Sequence, residues 1–374
     1  MVLLSSLGGD DDNNNNNNKD ETSSFLARLR GPLEYDDPGL LDVLRHSHLV
    51  PPSPRPYALT RDRNDYQAGV YNMYIVMDIA YLALQKLLKE VFADVKSGFF
   101  VEAGAVDGEF LSNTLFLERK LGWTGLLVEA DGDMYSHLLR RHRKAWSCHC
   151  CLSPHSYPHR EILIKYSGLG KSHPGMSMFA RGHGVLASHE KVSPVKLTGG
   201  KIDGGAVQLF ESVQCFPLAS LLLALNTTYI NFVSLDVEGP EESILHSFPW
   251  SRITVDVWLV EHISPASYGH HKEQSPSQKR TKKQDYFIPN KVSLSANVDK
   301  QINNKSHISD NMHDTLFQSE KSTVLNFIEF FVSRGYDMYP TDPASLLDNY
   351  LFIRRGSQVH RSLKVFKTKK NIAT

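Results

Sequence analysis

An apolar run that ends in an acid and then breaks into a glycine-spaced turn constrains this chain more than any other stretch. It reads Phe99-Phe100-Val101-Glu102-Ala103-Gly104-Ala105-Val106-Asp107-Gly108-Glu109. Such a run suits a strand buried on both faces. Gly104 and Gly108 suit a turn whose backbone approaches a ligand with no Cβ in the way. Taken alone, the turn also fits an ordinary strand–helix junction.

The same strand-then-helix rhythm recurs downstream. Ser112 to Leu121 reads as a helix with Ser112 as cap and Gly122 as stop. Gly125 to Ala130 is a second apolar run, and Asp131 caps a helix through Met134, Leu138 and Leu139. Ser147 to Leu152 reads as a third strand, and Arg160 to Tyr166 as an added hairpin strand. Val213 to Cys215 is strand-like, and Pro217 opens a helix with Leu218, Leu221, Leu222 and Leu225 on one face. Ile230 to Asp236 and Thr254 to Glu261 are the fourth and fifth strands, with Pro240 in the first turn of the helix between them. A helix over Ser322 to Arg334 and two strands, Tyr336 to Tyr339 and Asn349 to Ile353, complete the series. This order predicts a doubly wound, Rossmann-like α/β sheet with an antiparallel terminal hairpin.

Around that domain, assigned to 98–356, the composition changes. Residues 1–36 form an Asp/Asn-rich tail expected to be disordered. Residues 37–97 read as a helix from Pro38, a Pro51–Pro56 extended connector and a long helix over 70–95 that packs on the core. Residues 171–208 read as a mobile loop over the ligand edge, and 265–314 as a disordered insertion. The 357–374 tail is basic.

Lysine plus arginine equals aspartate plus glutamate, 41 each, so no basic excess points to nucleic acid. The four cysteines show no zinc spacing, and a Cys151–Cys215 bridge requires an oxidising compartment. No window reaches the ~20 apolar residues of a membrane span. Met1 to Gly9 is too short, and lacks the basic start, for a signal peptide. On these grounds alone a cytoplasmic location is one reading.

The chemistry gathers at the strand ends. Glu129 ends the second strand 21 residues after Gly108, where an acid reaches the two hydroxyls of a ribose. A dinucleotide pyrophosphate would sit poorly beside Glu102 and Asp107, whereas the cationic methionine portion of S-adenosylmethionine tolerates them. Ser112, Asn113 and Thr114 then fall where a helix start would meet the methionine carboxylate. Asp236 and Glu238 end the fourth strand at the expected switch point, with Asp236 as candidate general base. Glu261 and His262 end the fifth. No metal site is expected, and no Gly-x-Ser-x-Gly elbow supports a serine hydrolase.

Residues 99–114, 122–130, 151–153, 213–218, 234–241, 259–262 and 331–336, in this order, resemble the FkbM family of S-adenosylmethionine-dependent methyltransferases. Asp37-Pro38-Gly39-Leu40-Leu41 and Pro51-Pro52-Ser53 are similar to its Star-like branch in insects and crustaceans. The resemblance implies a seven-stranded class I methyltransferase fold. It implies that Glu102, Gly104, Ala105, Gly108 and Glu129 line the cofactor, with Ser153 towards the adenine. Members methylate hydroxyls of small molecules or sugars, so a small-molecule or glycan acceptor is implied. Star-like members act in transport of secreted growth-factor precursors between endoplasmic reticulum, Golgi and endosomes, usually behind a membrane anchor. That branch therefore implies an endomembrane location and membrane association. Two sequons, Asn226-Thr227-Thr228 and Asn304-Lys305-Ser306, would be usable in a lumenal domain.

Overall fold

A short helix, Pro38–Val43 (α1), leads the chain into the fold. Pro38 sits in its first turn, and the Asp37 carboxylate accepts from the N–H groups of Gly39 and Leu40 at 2.8 and 3.1 Å. The computed structural model describes residues 32–60, 75–167, 184–188, 207–262, 312–340 and 348–363. A π-helical turn, Leu44–His48, then delivers the two-residue strand Leu49–Val50 (β1).

The helix Ile75–Val91 (α2) precedes the strand Phe99–Ala103 (β2). Leu115–Leu121 (α3), Thr124–Glu129 (β3), Gly132–Arg140 (α4) and Trp146–His149 (β4) continue the alternation. Gly122 ends α3 at φ 69°, the left-handed stop its position predicts. The chain then leaves this sheet through Cys151–Leu152 (β5), His159–Ser167 (β6), Val185–Leu186 (β7) and Val207–Phe216 (β8). It returns through Leu218–Ala224 (α5), Tyr229–Leu235 (β9), Glu241–Ser247 (α6) and Thr254–Glu261 (β10). Met312–Ser333 (α7), Tyr336–Met338 (β11) and Asn349–Arg354 (β12) close the fold.

The main sheet is mixed and has eight strands, in the order β1-β4-β3-β2-β9-β10-β12-β11. β4, β3, β2, β9 and β10 are mutually parallel, while β1, β12 and β11 pair antiparallel with their neighbours. One apolar cluster joins Val101, Val128 and Val233 to side chains of α1, α5, α6 and α7. Another joins Phe100, Leu127 and Phe232 to side chains of α2, α3 and α4. Alternate residues of each strand thus feed opposite layers, as a sheet covered on both sides requires.

Several expectations change. The main sheet has eight strands where seven were expected, because β1 adds beside β4 through Leu49–Cys148 and Val50–Ser147. A two-residue strand is too short to carry a period-2 signal. The expected third strand, 147–152, is two strands in two sheets. β4 stays in the main sheet, and after Cys150 the chain pairs through β5 with β8. A second sheet, β5-β8-β6-β7, was not foreseen. Its β7 and the start of its β8 lie within the region expected to be loop. The expected helix of 322–334 begins at Met312, inside the stretch assigned to the insertion. Most of the 1–36 tail, the 265–311 part of the insertion, the 70–74 start of the long helix and the rest of the 171–208 loop lie outside the described residues. Val359, just past the assigned domain boundary, is buried in the second cluster.

Packing at the β12 side is aromatic. Phe331 stacks on Phe352 with ring centroids 3.9 Å apart and meets Phe327 edge-on at 5.6 Å. Phe331 is fully buried, whereas Phe210 on β8 is 66% exposed. Phe331→Ala is therefore expected to cost about 3–5 kcal/mol, and Phe210→Ala within about 0.5 kcal/mol of nothing. Urea midpoints of the two variants against the parent chain check this.

Candidate functional site

The ends of β2 and β9 meet at the centre of the parallel region. The connection after β2 leads to β3 on one side, and β9 leads to β10 on the other. The strand order therefore reverses between β2 and β9, and a crevice opens beyond their C-terminal ends. Asp236 donates its N–H to the Ala103 carbonyl at 3.2 Å. Gly104 has φ +84°, and a Cβ there would fall 1.8 Å from the Asp236 carbonyl oxygen. Only glycine allows this approach of two backbones.

A cleft partly open to solvent lies over this junction. Gly104, Glu129, Ala130, Asp131, Asp236 and Glu238 form its polar side. Val128, Leu152, Leu163 and Leu186 give it an apolar wall. Leu163 and Leu186 are partners in register across β6 and β7, and Leu152 lies on β5, so the second sheet supplies three of those four residues.

Glu129 stands buried at the end of β3. One carboxylate oxygen accepts from Val106 N–H at 2.6 Å, the other from Asp131 N–H at 2.8 Å. These bonds pin the carboxylate and leave lone pairs free, since each oxygen has two. Burial raises its pKa to about 8 from the usual 4.5, aided by the neighbouring Asp131 charge and opposed by the backbone donors. Asp131 caps α4 by accepting from Asp133 and Met134 N–H at 2.8 and 3.2 Å, as expected. It also pairs with Lys165 of β6 at 3.1 Å, and Lys165 reaches Glu211 of β8 at 2.7 Å. One ammonium thus ties the second sheet to the rim of the cleft.

Glu102 and the turn at 112–114 are engaged with one another. Glu102 accepts from Ser112 Oγ at 2.8 Å, Asn113 N–H at 2.6 Å and Thr114 Oγ1 at 2.6 Å. Burial raises the Glu102 pKa, with nearby Arg143 and these donors opposing. Arg143, itself buried, bonds Glu118 at 3.0 Å, Thr114 Oγ1 at 3.1 Å and the Gly108 carbonyl. Asn113 donates to Ser234 Oγ of β9 at 3.1 Å. Asp107 is also inward. It accepts from Glu109 and Phe110 N–H and from Arg141, which together outweigh burial and lower its pKa.

The cleft therefore brings together Gly104, Glu129, Asp236 and Glu238. Glu102, Ala105, Gly108, Ser112, Asn113, Thr114 and Ser153 are not among its lining residues. Ser153 donates to the Tyr157 carbonyl at 2.8 Å and contacts His159 Nδ1 at 3.1 Å, behind the wall residue Leu152.

The acids at the far side are crowded. Among the described residues, Asp236, Glu238 and Glu261 form a group whose carboxylate oxygens lie within 4.8 Å of one another. Burial first, then the Asp236 and Glu238 charges and a hydrogen bond with Asp236, push the Glu261 pKa well up. An all-oxygen trio of this kind suits either a shared proton or a hard cation. Glu241 shapes the loop beneath by accepting from Val237 N–H at 2.8 Å and Gly239 N–H at 3.0 Å. Within that loop Glu238 has φ +61°, a left-handed conformation rarely taken outside glycine.

Arg143, Lys165, Leu163 and Leu186 escaped the sequence reading. Arg143 sits in the basic run Arg140-Arg141-His142-Arg143-Lys144, which reads as a solvated surface. Nothing in the sequence pattern pairs β6 with β7. Comparison of the chain with protein-family models and with curated protein sequences finds no match.

Because the folded pKa of Glu129 is raised, folding takes up a proton there. That contribution is whole below the usual 4.5 and is lost as pH rises through about 8. The thermal stability of the parent chain relative to Glu129→Gln is expected to fall between about pH 5 and about pH 9. Paired thermal scans across that range check it. A gap that does not change with pH would contradict it.

Proposed function

We propose that the chain is an S-adenosylmethionine-dependent O-methyltransferase with a small-molecule or glycan acceptor, of the FkbM type. The observation that carries this reading is the buried Glu129 carboxylate. It is held by two backbone N–H groups at the rim of a cleft that has an apolar wall on one side and Asp236 on the other.

The sheet supports the class I assignment. Taken in chain order, the five parallel strands stand as 3-2-1-4-5, the order of doubly wound nucleotide-binding sheets. An antiparallel pair, β12 and β11, follows at the β10 edge. Seven of the eight strands, leaving out the two-residue β1, are in keeping with the seven-stranded arrangement that the resemblance implies.

The residues present fit the nucleoside end of that cofactor. The unused lone pairs of Glu129 accept two adjacent ribose hydroxyls, and the Val128, Leu152, Leu163 and Leu186 wall accommodates a planar base. The cofactor supplies an electrophilic methyl group. The protein's part is to hold an acceptor hydroxyl in line and dispose of its proton. Asp236 is the group to receive that proton, or to orient the hydroxyl, at the C-terminal end of β9. Burial and the neighbouring acids push the Glu261 pKa well up, and its hydrogen bond with Asp236 suits a proton shared between the two carboxylates. Glu238 lines the same cleft and is placed to meet a second acceptor hydroxyl.

One observation favours a second reading, a secretory-pathway transport protein that keeps the fold with a reduced site. Ser112 Oγ, Asn113 N–H and Thr114 Oγ1 all donate to Glu102, so these three donors are spent inside the fold and not on a methionine carboxylate. The Cys151–Cys215 disulfide joins β5 to β8 and suits the oxidising compartments of that pathway.

Titration calorimetry of the full chain with S-adenosylmethionine separates the two readings. Saturable binding is expected, weakened about tenfold or more by Glu129→Ala, a loss of about 1.4 kcal/mol. Absence of heat from the parent chain would end the enzyme reading. For the compartment, thiol-blocked peptide maps of the native protein are expected to show Cys151 linked to Cys215, with Cys148 and Cys150 alkylated.

A further inference from the structure

We propose that Asn226 carries an N-linked oligosaccharide. Asn226-Thr227-Thr228 has the acceptor pattern, with no proline in the middle. The pattern alone is common, and the structure adds three independent supports.

The first is presentation. α5 ends at Ala224, and Asn226 turns the chain out of the helix at φ 53°. Asparagine tolerates this left-handed conformation better than most residues. The turn's backbone is already satisfied. Asn226 N–H bonds the Leu223 carbonyl at 2.9 Å, Thr227 N–H the Leu222 carbonyl at 2.9 Å, and Thr254 N–H the Thr228 carbonyl at 2.9 Å. Thr227 Oγ1 donates to the Leu225 carbonyl at 3.2 Å. Asn226 and Thr228, the two side chains an acceptor needs, are both exposed. The Asn226 carboxamide makes no hydrogen bond to another described residue. A glycan there displaces nothing from the fold.

The second is position. The α5–β9 connection lies at the N-terminal ends of the parallel strands, and the cleft lies beyond their C-terminal ends. A large glycan at Asn226 therefore stands in water, on the edge of the sheet opposite the proposed acceptor site. Tyr229, half-exposed and pinned to Asp256 through its hydroxyl, offers a fixed ring beside it.

The third is compartment. The Cys151–Cys215 disulfide belongs to an oxidising lumen, and that is where oligosaccharide transfer to asparagine takes place. The inference rests on the secretory reading and not on methyl transfer.

In the transfer, Nδ2 of Asn226 attacks the anomeric carbon of a polyprenyl-pyrophosphate-linked oligosaccharide. A C–N bond forms, the anomeric C–O bond breaks, the polyprenyl pyrophosphate leaves, and the amide releases one proton.

The test is a peptide map of the full-length protein purified from the cells that make it, with cysteines alkylated before digestion. Expected is a glycopeptide at Asn226 that peptide N-glycosidase converts to one with aspartate at that position. Asn226→Gln and Thr228→Ala, expressed in the same cells, are expected to lose it, and Thr228→Ser to keep it. An unmodified Asn226 in the native protein would overturn the proposal. If the Cys151–Cys215 peptide is nonetheless present, the secretory reading stands and the glycan alone fails. If that linkage is absent too, both fail. Retention of the glycan at 226 in Thr228→Ala would overturn the sequon as its cause.

Discussion

The cleft exists because two strand ends approach so closely that no side chain fits between them. Gly104 faces the Asp236 carbonyl across the β2–β9 junction, with no room for a Cβ. That contact fixes the distance between the turn after β2 and the acids after β9. Everything proposed to touch a ligand lies on one side or the other of it. Glu129 is set through Val106, two residues beyond Gly104. Asp236 is set through the Ala103 carbonyl. The junction is backbone against backbone, and it resists deformation more than an arrangement of flexible side chains would.

Around this junction the fold buries several carboxylates, and each is handled differently. Glu102 takes donors from the 112–114 turn, and Arg143 sits close behind. Asp107 is charged and fully engaged with backbone and Arg141. Among the described residues no cation pairs with Glu129, which has backbone donors alone, and Glu261 faces other acids. A buried carboxylate with too little compensation is held towards its neutral form and responds to whatever binds beside it. The Glu102 pKa is raised as well, but its oxygens are taken up by the 112–114 turn. Glu129 lines the cleft and Glu261 bonds the cleft acid Asp236, so these two are the responsive groups. Glu102 and Asp107 belong to the frame. The distinction separates the acids of the glycine turn from those at the ends of β3 and β10, although all look equally acidic in the sequence.

The second sheet changes what the cleft can select. Leu163 and Leu186 close its apolar side, and Lys165 fastens that sheet to the cap of α4 through Asp131. The disulfide anchors the same sheet where it departs from the main one. A ligand wedged against this wall meets a surface held by one covalent link and one ion-pair cluster, independent of the frame behind Glu102.

Much of the α/β order was legible in the sequence because parallel strands are local and distinctive. Phe99–Ala103, Thr124–Glu129, Tyr229–Leu235 and Thr254–Glu261 are apolar runs bounded by turn residues. The caps at Asp131 and Gly122 are likewise local, so their residue types sufficed. Glu129, Asp236 and Glu238 could be named as strand-end acids, because the end of a strand is visible in the chain. What each acid does there could not be read. Whether Glu102 faces a ligand or the 112–114 turn depends on Arg143, 41 positions away in the sequence, and on which face of β2 alternate residues occupy. The departure of the chain from the main sheet after β4, the pairing of β6 with β7 and β8, and the β1 addition are long-range choices made by burial and hydrogen-bond pairing. The sequence by itself determined the strands, their caps and the acids at their ends. Only the tertiary structure decided which acids face the cleft and which hold the frame, because burial and pairing with distant donors set the state of a carboxylate.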